Sequence, residues 1–139
     1  MYHCLLLITT LLPLFCAETD TFVELQEGTV KGSKENSLKG RRYYSFYGIP
    51  YGLPPTGKRR FMRPEPIKSW NTVKGGDIVE CAQEDTGREE LFPLGGSVRG
   101  VEDCLVVNIY TPQVGDGEYS VMVYVHGGGY FAGEKRNFT

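Results

Sequence analysis

The stretch "VMVYVHGGGYFAGEK", Val121 to Lys135, carries a β-branched apolar run straight into His126 and three consecutive glycines, Gly127, Gly128 and Gly129. Apolar residues at successive positions predict a strand covered on both faces, the centre of a sheet of α/β type. Glycines directly after such a strand leave no Cβ to block close approach or positive φ, so successive backbone N–H groups can point together into a cavity. Clustered donors of that kind bind negative charge. Two chemistries use them, the cradling of phosphate and the stabilisation of an oxyanion during acyl transfer.

Phosphate is the poorer match. Gly128, Gly133 and Lys135 approach P-loop spacing, but Glu134 is inserted before the lysine, and Arg136 follows where Ser or Thr would hold Mg²⁺. A glutamate beside a triphosphate would repel it. The dinucleotide fingerprint would place Gly127, Gly129 and Ala132 at its three positions, with no βαβ unit before them. The order His-Gly-Gly-Gly instead matches the loop that donates an N–H after an early strand of α/β-hydrolases. A glycine-rich turn capped by His126 is the alternative that the motif alone leaves open.

Upstream, "CLVVNIYTP" (Cys104 to Pro112) reads as another short buried strand, ended by proline, with a turn around Gly115 and Gly117 after it. "FVELQEGTVKGS" (Phe22 to Ser33) alternates around Gly28 as a strand or hairpin edge. "RRYYSFYGIPYG" (Arg41 to Gly52) is an aromatic strand that should stop at Gly48 and Pro50. The four prolines of "LPPTGKRRFMRPEPIKSW" (Leu53 to Trp70) forbid regular helix or central strand and predict an extended surface path, with Trp70 anchoring it on the core. Residues Asn71 to Gly100, polar and glycine-rich, predict a long loop. There is no internal repeat. No long amphipathic helix pattern is present to cover a sheet, so the chain reads as the beginning of a larger α/β domain.

With 139 residues, 40% of them hydrophobic, and a net charge of −2, the composition is that of one modest globular unit and excludes a disordered chain. The slight acidity argues against nucleic acid as a partner. Two basic clusters, "KGRR" (Lys39 to Arg42) and "GKRRFMR" (Gly57 to Arg63), are expected on solvated surface. The apolar run from Cys4 to Phe15 is far short of the roughly twenty residues a membrane-spanning helix needs. Residues 1–17 are expected to be a secretory signal peptide, the alternative being an uncleaved anchor. That leaves Cys81 and Cys104, read as one disulfide of a secreted protein. A metal site fails on ligand count, since His126 is the only histidine beyond the expected signal peptide and no CxxC exists.

Three blocks in order make the chain resemble the N-terminal part of a type-B carboxylesterase, the family that includes cholinesterases and insect esterases. "FYGIPYGLPPTGKRRFMRPEPIKSW" (Phe46 to Trp70) resembles the family's GIPYA-x-PP block with its Arg-Phe pair and closing Trp. "EDCLVVNIYTP" (Glu102 to Pro112) resembles EDCLYLNVYTP, with Val106 and Val107 in place of Tyr-Leu. "VMVYVHGGGYFAG" (Val121 to Gly133) resembles the strand plus HGGGF-x-x-G. Gly52 stands where alanine is commoner.

The resemblance implies an α/β-hydrolase fold for residues 18–139, with small antiparallel N-terminal strands and the first strands of the central mixed sheet. It implies a serine esterase acting on small carboxylic esters, without a cofactor or a metal. Gly128 and Gly129 would donate N–H groups to the oxyanion, with His126 and Gly127 shaping the loop. Cys81 and Cys104 would form the family's first disulfide, near the gorge entrance. Tyr130 and Phe131 would either stand near the acyl pocket or pack in the core. The G-x-S-x-G nucleophile, the acid and the catalytic histidine belong to later segments, so the polypeptide as given is expected to be inactive. A non-catalytic adhesion protein of cholinesterase type, or an inactive truncated product, is the alternative. Asn137 opens an N-F-T sequon, a glycosylation site or a chance match.

Overall fold

The computed structural model describes residues 20–84 and 98–127, so the expected signal peptide lies outside the described residues. Six strands occur among the described residues: β1 (Thr21–Glu24), β2 (Thr29–Asn36), β3 (Arg42–Pro50), β4 (Gln83–Glu84), β5 (Val98–Arg99) and β6 (Val106–Thr111). Four form one antiparallel sheet in the order β1-β2-β3-β6, and β4 pairs with β5.

The alternation around Gly28 produces a tight hairpin. Leu25 and Gly28 exchange backbone hydrogen bonds at 3.0 and 3.2 Å, leaving Gln26 and Glu27 as the turn. Gly28 has φ +145°, and a Cβ there would lie 2.6 Å from the Trp70 indole nitrogen. Trp70 takes that space. Its backbone N–H donates to Glu27 O at 2.8 Å and its indole N–H to Thr29 O at 3.0 Å. The expected anchoring of the proline-rich stretch by Trp70 is therefore realised, and the stretch adds only a short 3₁₀ turn at Gly57–Arg59. Beyond Trp70 the chain runs beside β2, with Lys31 N donating to Lys74 O at 2.7 Å and Lys74 N to Thr29 O at 3.0 Å.

The core is small: Val30, Phe46 and Ile49 are buried, with Val23, Tyr44, Trp70 and Val114 packed against them. Gly32 makes room for it, because a Cβ there would overlap the Phe46 ring at 2.5 Å. Burying a Phe or Ile side chain contributes about 1.5–3 kcal/mol, so this cluster sets the register of β2 against β3.

Three expectations are corrected. β3 ends at Pro50 as expected, but Gly48 does not stop it. Phe46 opposes Ile109 and Ile49 opposes Val107, so β3 carries an extra residue and bulges. Gly48 occupies the bulge at φ +65°, its N–H donates to Asn108 Oδ1 at 3.0 Å, and a Cβ would meet Asp77 O at 2.5 Å. The second correction is to β6, which forms where expected but, among the described residues, is an edge strand whose Val107 and Ile109 are exposed.

The third concerns "VMVYVHG". Residues 121–127 form no strand, and Val121 and Met122 are 88% and 92% exposed. Apolar, β-branched composition records suitability for a pleated, covered surface, and a strand exists only where a neighbouring ladder satisfies its backbone. Among the described residues no ladder runs beside this segment. The predicted long loop, for its part, is closed at its base by the β4–β5 pairing.

Candidate active site

The first two motif blocks, distant in sequence, form one framework. β3 pairs with β6, and beyond it Tyr51 N donates to Leu105 O at 3.0 Å and Leu53 N to Glu65 O at 2.9 Å. At Gly52 an added Cβ would sit 3.3 Å from Leu105 Cδ1 and 3.4 Å from Glu65 O. Alanine would thus need only a small shift of a flexible leucine, so the departure at Gly52 is mild. Arg60 forms an ion pair with Glu102, joining the proline-rich block to the second block.

Two residues beyond Glu102, Cys104 is disulfide-bonded to Cys81 across 23 residues, as expected from both the cysteine count and the resemblance. The crossing is tight. Ala82 N donates to Val101 O at 2.8 Å and Val101 N to Glu80 O at 2.9 Å. Gly100, at φ +85°, lies so close to the Cys81 carbonyl that a Cβ would fall 2.3 Å from its oxygen.

Of the expected oxyanion loop, His126 and Gly127 are described. Both are exposed, and His126 Nδ1 lies 2.9 Å from Gly127 O. Among the described residues nothing stands within 4 Å of a Cβ built on Gly127. Gly128, Gly129, Tyr130, Phe131 and Asn137 lie outside the described residues. Among the described residues no group of three His, Cys, Asp or Glu side chains could hold a metal ion, and no helix is long and apolar enough to cross a membrane.

Sequence reading missed a polar cluster on one face of the sheet. Glu35 of β2 accepts hydroxyl hydrogen bonds from Tyr43 at 2.6 Å, Tyr47 at 2.9 Å, Ser33 at 3.3 Å and Ser45. Burial alone would push its carboxyl up, but the donors Ser45, Tyr43, Tyr47 and Ser33 outweigh it and hold it below the usual carboxylate range. The Glu35 hydrogen bond is the largest influence on Tyr43, which is pushed up to about 12. Burial raises Tyr47 and Tyr110, and the Glu35 charge adds to both. Tyr110 stacks edge-on to Tyr47, centroids 5.9 Å apart. The available signal was period-two spacing: Ser33 and Glu35 on one strand against Tyr43, Ser45 and Tyr47 on the next.

A family model described as the carboxylesterase family matches residues 19–139. Juvenile hormone esterase of Tribolium castaneum is 42% identical over 123 residues, covering 85% of this chain and 20% of the relative. Esterase E4 of Myzus persicae is 38% identical over 128 residues, covering 87% of this chain and 22% of the relative. The solved structure of a PNB esterase aligns with TM-score 0.64 at 35% identity, covering 83% of this chain and 23% of that one. The chain thus spans about a fifth of the length of the curated relatives it matches. Its sheet is the N-terminal portion of an α/β-hydrolase fold. By the family match over residues 19–139 and by these relatives, the chain belongs to the carboxylesterase family.

Proposed function

We propose that residues 18–139 are the N-terminal part of a secreted serine esterase that hydrolyses small carboxylic esters, and that residues 1–17 are its removable signal peptide. The observation that carries this reading is the family match from residue 19 to residue 139, a range that includes the glycine triplet. Its start just beyond residue 17 agrees with a leader that lies outside the fold. The relatives are named as esterases, and cleavage of a carboxylic ester is the chemistry those names share.

In this mechanism a serine hydroxyl attacks the ester carbonyl and the carbonyl oxygen becomes an oxyanion. The N–H groups of Gly128 and Gly129 stabilise it, each worth about 3 kcal/mol of transition-state energy. His126 is a positioning residue. Its ring contact with the Gly127 carbonyl supports a role in shaping the loop rather than in proton transfer. In this reading Tyr130 and Phe131 are assigned to the vicinity of the acyl pocket, with core packing as the alternative, and Asn137 opens a sequon that is a glycosylation site or a chance match. The nucleophile, acid and base come from the part of the relatives' length that this chain does not span.

Reading the coding sequence past Thr139 tests the whole proposal. A G-x-S-x-G with its serine intact is expected, and a replaced serine would overturn catalysis in favour of adhesion. In the natural protein carrying this chain, Gly128→Val should lower p-nitrophenyl ester turnover by about 10²–10³-fold while secretion is kept. Unchanged turnover would sink the oxyanion assignment.

A further inference from the structure

The basic cluster at Lys39 to Arg42 has a neighbour that sequence distance hides. The β2–β3 turn overhangs an open concavity of about 520 Å³, lined by Leu38, Lys39, Arg41, Tyr43 and Tyr110 among others. Tyr43 and Tyr110 come from β3 and β6 and stand with ring centroids 6.2 Å apart, tilted by 52°. The Tyr43 hydroxyl is committed to Glu35, so this tyrosine offers the concavity its ring rather than a free donor. Leu38, 93% exposed, supplies apolar surface at the turn. Among the described residues neither Lys39 nor Arg41 forms an ion pair. Two cations without carboxylate partners thus share a rim with two aromatic rings and a leucine.

We propose that this concavity binds a small amphipathic carboxylate, its apolar body laid on Tyr43, Tyr110 and Leu38 and its anionic head held by Lys39 and Arg41. The chemistry of the lining selects this class. A bare anion would meet only exposed, salt-screened charge, which contributes little. A neutral apolar molecule would leave both cations unused. A planar carboxylate matches the guanidinium fork of Arg41, and its apolar body covers rings that are otherwise wetted. The inference stands apart from the proposed ester hydrolysis, since none of these residues belongs to the glycine loop. Carboxylates are nonetheless one of the two products that ester hydrolysis releases.

The test is a fluorescence titration of the natural protein carrying this chain with naphthoate, with the neutral alcohol naphthylmethanol, and with inorganic phosphate. Naphthoate should bind saturably, and Lys39→Ala/Arg41→Ala should weaken it by about tenfold with an unchanged circular dichroism spectrum. Leu38→Ser, at an exposed position that cannot unfold the sheet, should weaken it by about threefold. Equal binding of naphthylmethanol, binding of phosphate without naphthoate, or unchanged affinity in both variants would each overturn the proposal.

Discussion

Arg60 and Glu102 meet across 42 residues of sequence, the arginine from the turn of the proline-rich block and the glutamate two positions before a disulfide cysteine. Their side chains are 49% and 52% exposed. The pair therefore fixes geometry more than it adds stability, because water screens both charges.

A double-mutant cycle with Arg60→Ala and Glu102→Ala should give a coupling energy below about 1 kcal/mol in urea unfolding. Oxidation of Cys81 with Cys104 should proceed in all three variants. A coupling of several kcal/mol would mean that the pair is buried by a part of the protein outside the described residues.

Glu35→Gln should destabilise the sheet at neutral pH by about 1–2 kcal/mol, since an amide cannot accept all four hydroxyls. The sign with pH follows from the lowered carboxyl. Its stabilisation is fully present above the unfolded-state pKa and is lost as pH falls through the folded-state value. Urea midpoints of the parent and the variant should differ at pH 7 and converge in strong acid. A gap that persists in acid would show that the carboxylate charge is not what the hydroxyls hold.

Two glycines separate backbone strain from contact. Gly40, at φ +73°, has no described residue within 4 Å of an added Cβ, whereas Gly48, at φ +65°, would drive one to 2.5 Å from Asp77 O. Gly40→Ala should cost about 1 kcal/mol from φ alone, and Gly48→Ala at least about twice that. Equal costs, measured as thermal or urea midpoints, would show that residues 77–79 shift aside freely.

Removing the disulfide by Cys81→Ser/Cys104→Ser should lower stability by about 3 kcal/mol in the loop-entropy model. Adding reductant to the parent should reproduce the loss. Limited proteolysis should then cut more readily between residues 82 and 103, where the β4–β5 ladder and the backbone hydrogen bonds of Val101 with Glu80 and Ala82 still tie the described residues.

Much of this chain was legible without coordinates. The hairpin at Gly28 follows from alternation and turn chemistry, the β3 and β6 strands from β-branched and aromatic runs, and the Trp70 anchor from its place at the end of a proline-rich path. These are local signals, carried by neighbours in sequence. The disulfide was legible by counting, and the family by three blocks in order.

Contacts between strands were beyond that reach. Register places Ser33, Tyr43, Ser45 and Tyr47 around Glu35, and register depends on which residues bury against Phe46 and which glycine vacates space for its ring. The bulge at Gly48 is likewise decided by Asp77 and Asn108, nearly thirty and sixty residues away by number. The apolar run before His126 shows the same division from the other side. Its composition declared a strand, but a strand is a shared ladder of backbone hydrogen bonds, and among the described residues that ladder is not built. Sequence alone determined the family to which this chain belongs, because three motif blocks in order are carried by neighbours along the chain. Tertiary structure decided which side chains meet, because pairing and burial are properties of neighbours in space.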